Sequence, residues 1–266
     1  MTHRVLKSTS IASVVVILMT AMLFAQQRGQ ARRGDAATPA PHHDPHDLSG
    51  IWLGRVVTSG LNDPAPVYTA AGKAAFDMNK PSFGPRAVAP ALGNDPLGGA
   101  NPVGIPRALI NHATKIQFIQ LPDKMVQLVE WNRFWREIFT DGRPLPEDPD
   151  LAWYGYSVGK WEGDEFVVTT SGLDPRAWAD GVGRPKSEAA VVEERYHRLD
   201  HDNLQVTITV TDPKFYSKPA GGEFVFRLQP DTPTGRFIED IFAPIDEESF
   251  NKRIRNPAGT GGTTAK

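Results

Sequence analysis

The chain has 266 residues, 40 % of them hydrophobic and 23 % charged, with a formal net charge of −2. Those proportions exclude a coiled coil, a collagen-like rod and a multi-span membrane protein. With no basic block or aromatic-basic stripe anywhere, they also exclude nucleic acid as a partner.

Arg4 and Lys7 precede an apolar run from Ile11 to Phe24, and Ala25 is followed by Gln26. This is the arrangement of a secretory signal peptide, residues 1–25, cleaved after Ala25, and it predicts a periplasmic or extracellular protein. The alternative is an uncleaved anchor, but the apolar stretch is shorter than the ~20 residues that a span needs. No stable membrane insertion is therefore expected after cleavage. Residues 26–47 contain no large apolar side chain to pack and read as a disordered linker. Within them His42, His43 and His46 stand beside Asp44 and Asp47, enough donors for a divalent metal. Tethered in a disordered linker, such a cluster binds metal adventitiously more often than by function, and no cofactor is expected.

A single domain over 48–255 follows. There is no cysteine, so no disulfide holds it and the core alone must. A strand opens at Ser49-Gly50-Ile51-Trp52-Leu53, and Thr69 caps a short helix over Ala70 to Asn79. From Lys80 to His112 six prolines and five glycines break any regular pattern. An irregular stretch of that length is usually a covering loop or lid. Then come β signals over Thr114 to Leu121, Lys124 to Trp131, Phe134 to Thr140, Trp153 to Trp161, Glu165 to Ser171, Ala189 to Leu199, Leu204 to Thr211, Glu223 to Gln229 and Arg236 to Phe242. Turn chemistry such as Asp141-Gly142 and Glu162-Gly163-Asp164 joins them. Short helices fit Pro175 to Asp180 and Glu247 to Arg253, and residues 256–266 read as a disordered tail. The fold class expected is mainly β: an antiparallel meander of about ten strands closing as a barrel or packing as a sandwich, with two or three short helices.

The stretches Asp47-Leu48-Ser49-Gly50-Ile51-Trp52, Gly72-Lys73-Ala74-Ala75-Phe76-Asp77, Gly155-Tyr156-Ser157-Val158-Gly159-Lys160-Trp161-Glu162-Gly163-Asp164 and Asp212-Pro213-Lys214 together resemble a family of uncharacterised secreted bacterial proteins. The resemblance implies secretion and one domain, and implies no activity. Members often carry two cysteines where this chain has Ala100 and Phe242, so a cross-link between those segments is absent here. Gly50-Ile51-Trp52 is also similar to the first strand of lipocalins and other calycins, which implies a barrel rather than a sandwich.

Strand alternation puts Glu193, Arg195 and His197 on one face and Glu194, Tyr196 and Arg198 on the other. If the first set points inward, it supplies a general acid, an anion holder and a general base; if the second does, Glu194 and Tyr196 replace them. The plainer reading is a solvated strand with paired charges. Trp131 and Arg136 lie near a tight connection, Asp141 and Arg143 near the next, and Trp153, Tyr154 and Tyr156 place rings on both faces of one strand. Rings not used by the core suit a flat apolar ligand. No nucleophile elbow, phosphate loop or dinucleotide fingerprint is present. The expectation is an exported barrel that binds a small apolar or aromatic molecule. Its alternatives are a cofactor-independent acid–base enzyme using Glu193, Arg195 and His197, or a structural or interaction protein of the cell envelope.

Overall fold

A computed structural model describes residues 42–54, 60–99, 101–110 and 114–238. The expected signal peptide, most of the linker, the helix over Glu247 to Arg253 and the tail lie outside the described residues, as does most of the strand expected over Arg236 to Phe242.

The strands are β1 (Gly50–Gly54), β2 (Val67–Tyr68), β3 (Lys115–Gln120), β4 (Lys124–Val129), β5 (Phe134–Phe139), β6 (Tyr156–Glu162), β7 (Glu165–Ser171), β8 (Val191–Arg198), β9 (Asn203–Thr211), β10 (Tyr216–Lys218) and β11 (Ala220–Leu228). Nine of them close into a barrel in the order β1-β11-β9-β8-β7-β6-β5-β4-β3, and β2 pairs with β10 outside it. The protein is thus mainly β and built on a closed barrel, not a sandwich.

Direction can alternate all the way round a closed ring only if the number of strands is even. Nine strands therefore force at least one parallel pair of neighbours, and it falls between β5 and β6. Every other neighbouring pair in the barrel is antiparallel. This corrects the expectation of a purely antiparallel meander. Parallel neighbours need a crossover of roughly a dozen residues or more, and residues 140–155 supply it.

The barrel is filled by its own side chains. Trp52, Phe118, Phe166, Tyr196 and Phe226 are all fully buried, and burying a large apolar side chain contributes about 1.5–3 kcal/mol. Gly159 makes room for this packing, because a Cβ there would lie 2.5 Å from the Phe166 ring and 2.8 Å from Ile138. Among the described residues the barrel interior is therefore taken up by core side chains.

Strand directions place tight turns at one end, over 121–123, 163–164 and 199–202, and long connections at the other. That second end is capped by residues from 60–110, 172–190 and 212–219, including buried Leu61, Ile105, Leu109, Trp178, Asp180, Lys186 and Asp212. The helix Ala70–Met78 sits here, with the Thr69 hydroxyl accepting from Gly72 N at 3.0 Å as its sequence predicts. The stretch expected as a covering loop differs from expectation in its second half. Val103–Ile110 is buried in the core cluster and ends in the single-turn helix Arg107–Ile110. No helix forms over Pro175 to Asp180, because local carbonyls are taken by a distant side chain: Lys186 Nζ donates to Asp174 O at 2.5 Å and Ala177 O at 2.7 Å. At the tight-turn end, His46 stacks on Trp161 at 4.4 Å and Arg198 donates to Asp47 O, so the last residues of the expected linker are laid against the barrel.

Candidate functional site

The inward face of β8 is the one carrying Glu194, Tyr196 and Arg198. Directly opposed residues of an antiparallel pair share a face, and β9 sets Ile208, Val206 and Leu204 against these three. The apolar alternation of β9, read through the Asp200–Asn203 turn, is the signal in the sequence that identifies the buried face.

Inside the barrel, Glu194 is fully buried and is held by both terminal nitrogens of Arg136, with the Oε1 contact at 2.9 Å. Arg136 Nε donates to Gln127 Oε1 at 2.8 Å, Gln127 Nε2 to the Tyr196 hydroxyl at 3.0 Å, and that hydroxyl to Glu194 Oε2 at 2.5 Å. Thr170 and Ser157, whose hydroxyls lie 2.9 Å apart, complete the network. Burial is the largest single influence on Arg136 and opposes its charge, yet Glu194 and Tyr196 together outweigh it and hold the guanidinium above its ordinary pKa. Burial, reinforced by the same carboxylate, pushes the Tyr196 hydroxyl far up. An ion pair this buried and this fully hydrogen-bonded is a closed unit.

Glu193, Arg195 and His197 occupy the outer face of β8 instead. Arg195 is shared among Glu193 at 2.9 Å, Glu165 at 2.8 Å and Glu162 at 3.0 Å, and the hydrogen bonds it donates to Glu165 and Glu193 drive its pKa upward. Of the two alternatives for this strand the first set is therefore the outward one: its cation is committed to surface carboxylates, and none of the three lines the barrel interior.

The opening in the wall lies at the parallel seam. β5 and β6 share only the pairs Ile138–Ser157 and Phe139–Val158, which leaves Phe134–Glu137 without a ladder on the β6 side. A cleft of about 700 Å³ occupies this gap, lined by Trp135, Arg136, Glu137 and Phe139 from β5 and by residues 151–157. That volume lies within the ~300–1,000 Å³ of small-molecule sites.

Four of the residues expected to bind ligand meet here: Arg136, Trp153, Tyr154 and Tyr156. The strand expected from Trp153 begins only at Tyr156, because Gly155 turns the chain at φ +64°, where a Cβ would lie 2.5 Å from Ser171 O. That turn spreads the three rings. Tyr154 stacks on Phe134 at 3.9 Å and 4°, and its hydroxyl donates to Asn132 Oδ1 at 3.2 Å. Burial pushes its pKa up to about 12. Asn132 itself sits at φ 65°, a conformation Asn tolerates, and its Oδ1 also accepts from Val103 N at 3.1 Å. The Arg176 guanidinium lies 4.4 Å over Trp153.

The other expected residues lie elsewhere. Trp131 packs against the core cluster. Asp141 and Arg143 pair with each other at 2.5 Å just beyond β5, and Arg143 lies 3.8 Å over Phe139, a residue of the cleft wall. Sequence reasoning missed Trp135, Phe139 and Leu151, whose exposure on the cleft depends on a seam that no local pattern marks. No group of three or more His, Cys, Asp or Glu among the described residues is placed to hold a metal ion, and the His46 ring is engaged with Trp161 and with Gly163 O at 2.8 Å.

Comparison with models of protein families, with curated protein sequences and with solved structures found no match to this chain.

Proposed function

We propose that the protein is exported and binds a flat, largely apolar or aromatic small molecule in the cleft at the β5–β6 seam. The supporting observation is the concentration of Trp135, Trp153, Tyr154 and Tyr156 around one gap in an otherwise closed wall. Trp and Tyr offer large rigid faces at little entropic cost, and Arg136 and Ser157 give the inner end of the cleft a polar character. Export rests on the charged, apolar and small-residue pattern of residues 1–25.

The test takes the full chain, produced in a bacterial host that processes secretory signals, and identifies small molecules that copurify with it by mass spectrometry under native conditions. Retention of an aromatic compound near one per chain, lost in a Trp153→Ala, Tyr156→Ala double variant that melts at the same temperature, is the expected result. Retention unaffected by the double variant, or no retained compound together with no quenching of tryptophan fluorescence by a panel of flat aromatics, would overturn the reading.

A further inference from the structure

Lys186 lies in the cap, within the connection between β7 and β8, and only 1 % of it is exposed. Its amine makes two hydrogen bonds, both to backbone carbonyls, those of Asp174 and Ala177. The nearby carboxylates are used by other groups. Asp174 is gripped by the Arg176 guanidinium, and Asp212 accepts from the Ser187 amide at 2.6 Å and its hydroxyl at 2.7 Å. Among the described residues no carboxylate lies within salt-bridge distance of Nζ. Two acceptors suit a neutral amine, which has two N–H bonds and one lone pair; an ammonium would have a third N–H to satisfy. Burial lowers the pKa to about 7, against the weaker opposing pull of Asp174 and Asp212.

Lys186 also lines a pocket of about 210 Å³, whose other walls include Ala75, Met78, Asn79, Trp178, Pro185 and Phe215. Apart from Asn79 and Lys186 these walls are apolar, and the volume is below the ~300 Å³ at which drug-sized sites begin, so the occupant is limited to one ring or a short chain. Buried lysines with a free lone pair in an apolar pocket are the nucleophiles of Schiff-base chemistry.

We propose that Lys186 is a covalent capture site for small aldehydes or ketones with an apolar body, which enter this pocket and form an imine with Nζ. The lone pair adds to the carbonyl carbon and a carbon–nitrogen bond forms. The carbonyl oxygen leaves as water with one amine proton and one proton from solvent. The resulting iminium keeps one N–H for the backbone carbonyls, and no oxidant or reductant takes part. This site does not depend on the cleft at the β5–β6 seam.

The probe is benzaldehyde with sodium cyanoborohydride, which supplies the hydride that fixes the imine as a benzyl amine, applied to the full chain at pH 7.5 and read by peptide mass spectrometry. Ordinary lysines, with a pKa of about 10.4, are about one part in a thousand neutral at that pH, so Lys186 should acquire label more than about tenfold faster than exposed Lys73 and Lys160. The advantage should shrink as pH rises to 10. Met78→Trp and Ala75→Trp enlarge two side chains of the pocket wall, and each should suppress labelling at Lys186 alone. Labelling of Lys186 slower than that of the exposed lysines in folded protein would overturn the proposal. So would labelling that ignores both pocket-filling variants, since reaction would then occur through unfolding.

Discussion

The β8–β9 wall and the β5–β6 seam are built from the same kind of strand, yet they differ in every property that bears on function. β8 and β9 match residue for residue from Val191–Thr211 to Arg198–Leu204, whereas β5 and β6 meet at two positions. The continuous ladder holds Glu194 on its buried face and leaves nothing open; the interrupted one exposes rings and a cleft, and its Arg136 reaches from the inner end of that cleft to Glu194. Charge alone is therefore a poor guide to the site in this protein. The acidic and basic residues of β8 serve the core on one face and the surface on the other, and the opening lies where hydrogen bonding stops.

The strongest way to break this contrast is at the closed wall. Glu194→Gln should destabilise the protein by about 3–5 kcal/mol, because it leaves the Arg136 charge buried without its partner. An Arg136→Met, Glu194→Leu double variant should recover most of the loss, as read by urea denaturation. If Glu194→Gln instead left stability unchanged and abolished ligand retention, the network would belong to the site and not to the core.

The cap offers a pH test of comparable size. With a pKa of about 7 in the folded state and about 10.4 unfolded, Lys186 binds fewer protons in the native protein across that interval. Stability should therefore rise with pH between them, by up to about 1.4 kcal/mol per unit from this group. The buried tyrosines act oppositely, but only above pH 10, because Tyr68 and Tyr154 are raised to about 12 mainly by burial. Urea midpoints between pH 7.5 and 9.5 isolate the lysine, and Lys186→Met should flatten the slope.

At the seam itself, Gly155→Val forces a β-branched residue to positive φ against Ser171 O. A cost of about 1–3 kcal/mol follows from backbone strain, together with a changed tryptophan emission from Trp153 two residues before it. Unaltered melting and emission would show that the turn has another way to form. The smallest effect belongs to the outer face: Arg195→Ala should cost about 1 kcal/mol or less, since partly exposed ion pairs are screened by water. A much larger loss by urea denaturation would mean that the four-residue charge cluster holds the wall together.

Much of the barrel is legible in the sequence because its strands alternate and its turns are marked. Glu165–Ser171 begins and ends where expected, after a Glu-Gly-Asp turn and with Phe166, Val168 and Thr170 inward. What alternation cannot show is how many strands close the ring, and that number creates the parallel seam. β2 and β10, with two and three residues, are too short to display a period. The rings at 153–156 stand out in the sequence, but Trp135 and Leu151 become part of the same place only through the crossover. Lys186 carries no local signal at all; its surroundings come from residues 75–78, 174–178 and 215, which only the cap assembles.

The odd number of strands has an evolutionary consequence. Inserting or deleting a β-hairpin changes the number by two, so hairpin gain or loss leaves the ring odd and a like-directed pair must persist somewhere in it. Only the gain or loss of a lone strand removes that obligation. Relatives that enlarge or shrink this barrel by hairpins would thus inherit a discontinuity in its wall, and with it a place where side chains can be varied for binding without rebuilding the scaffold.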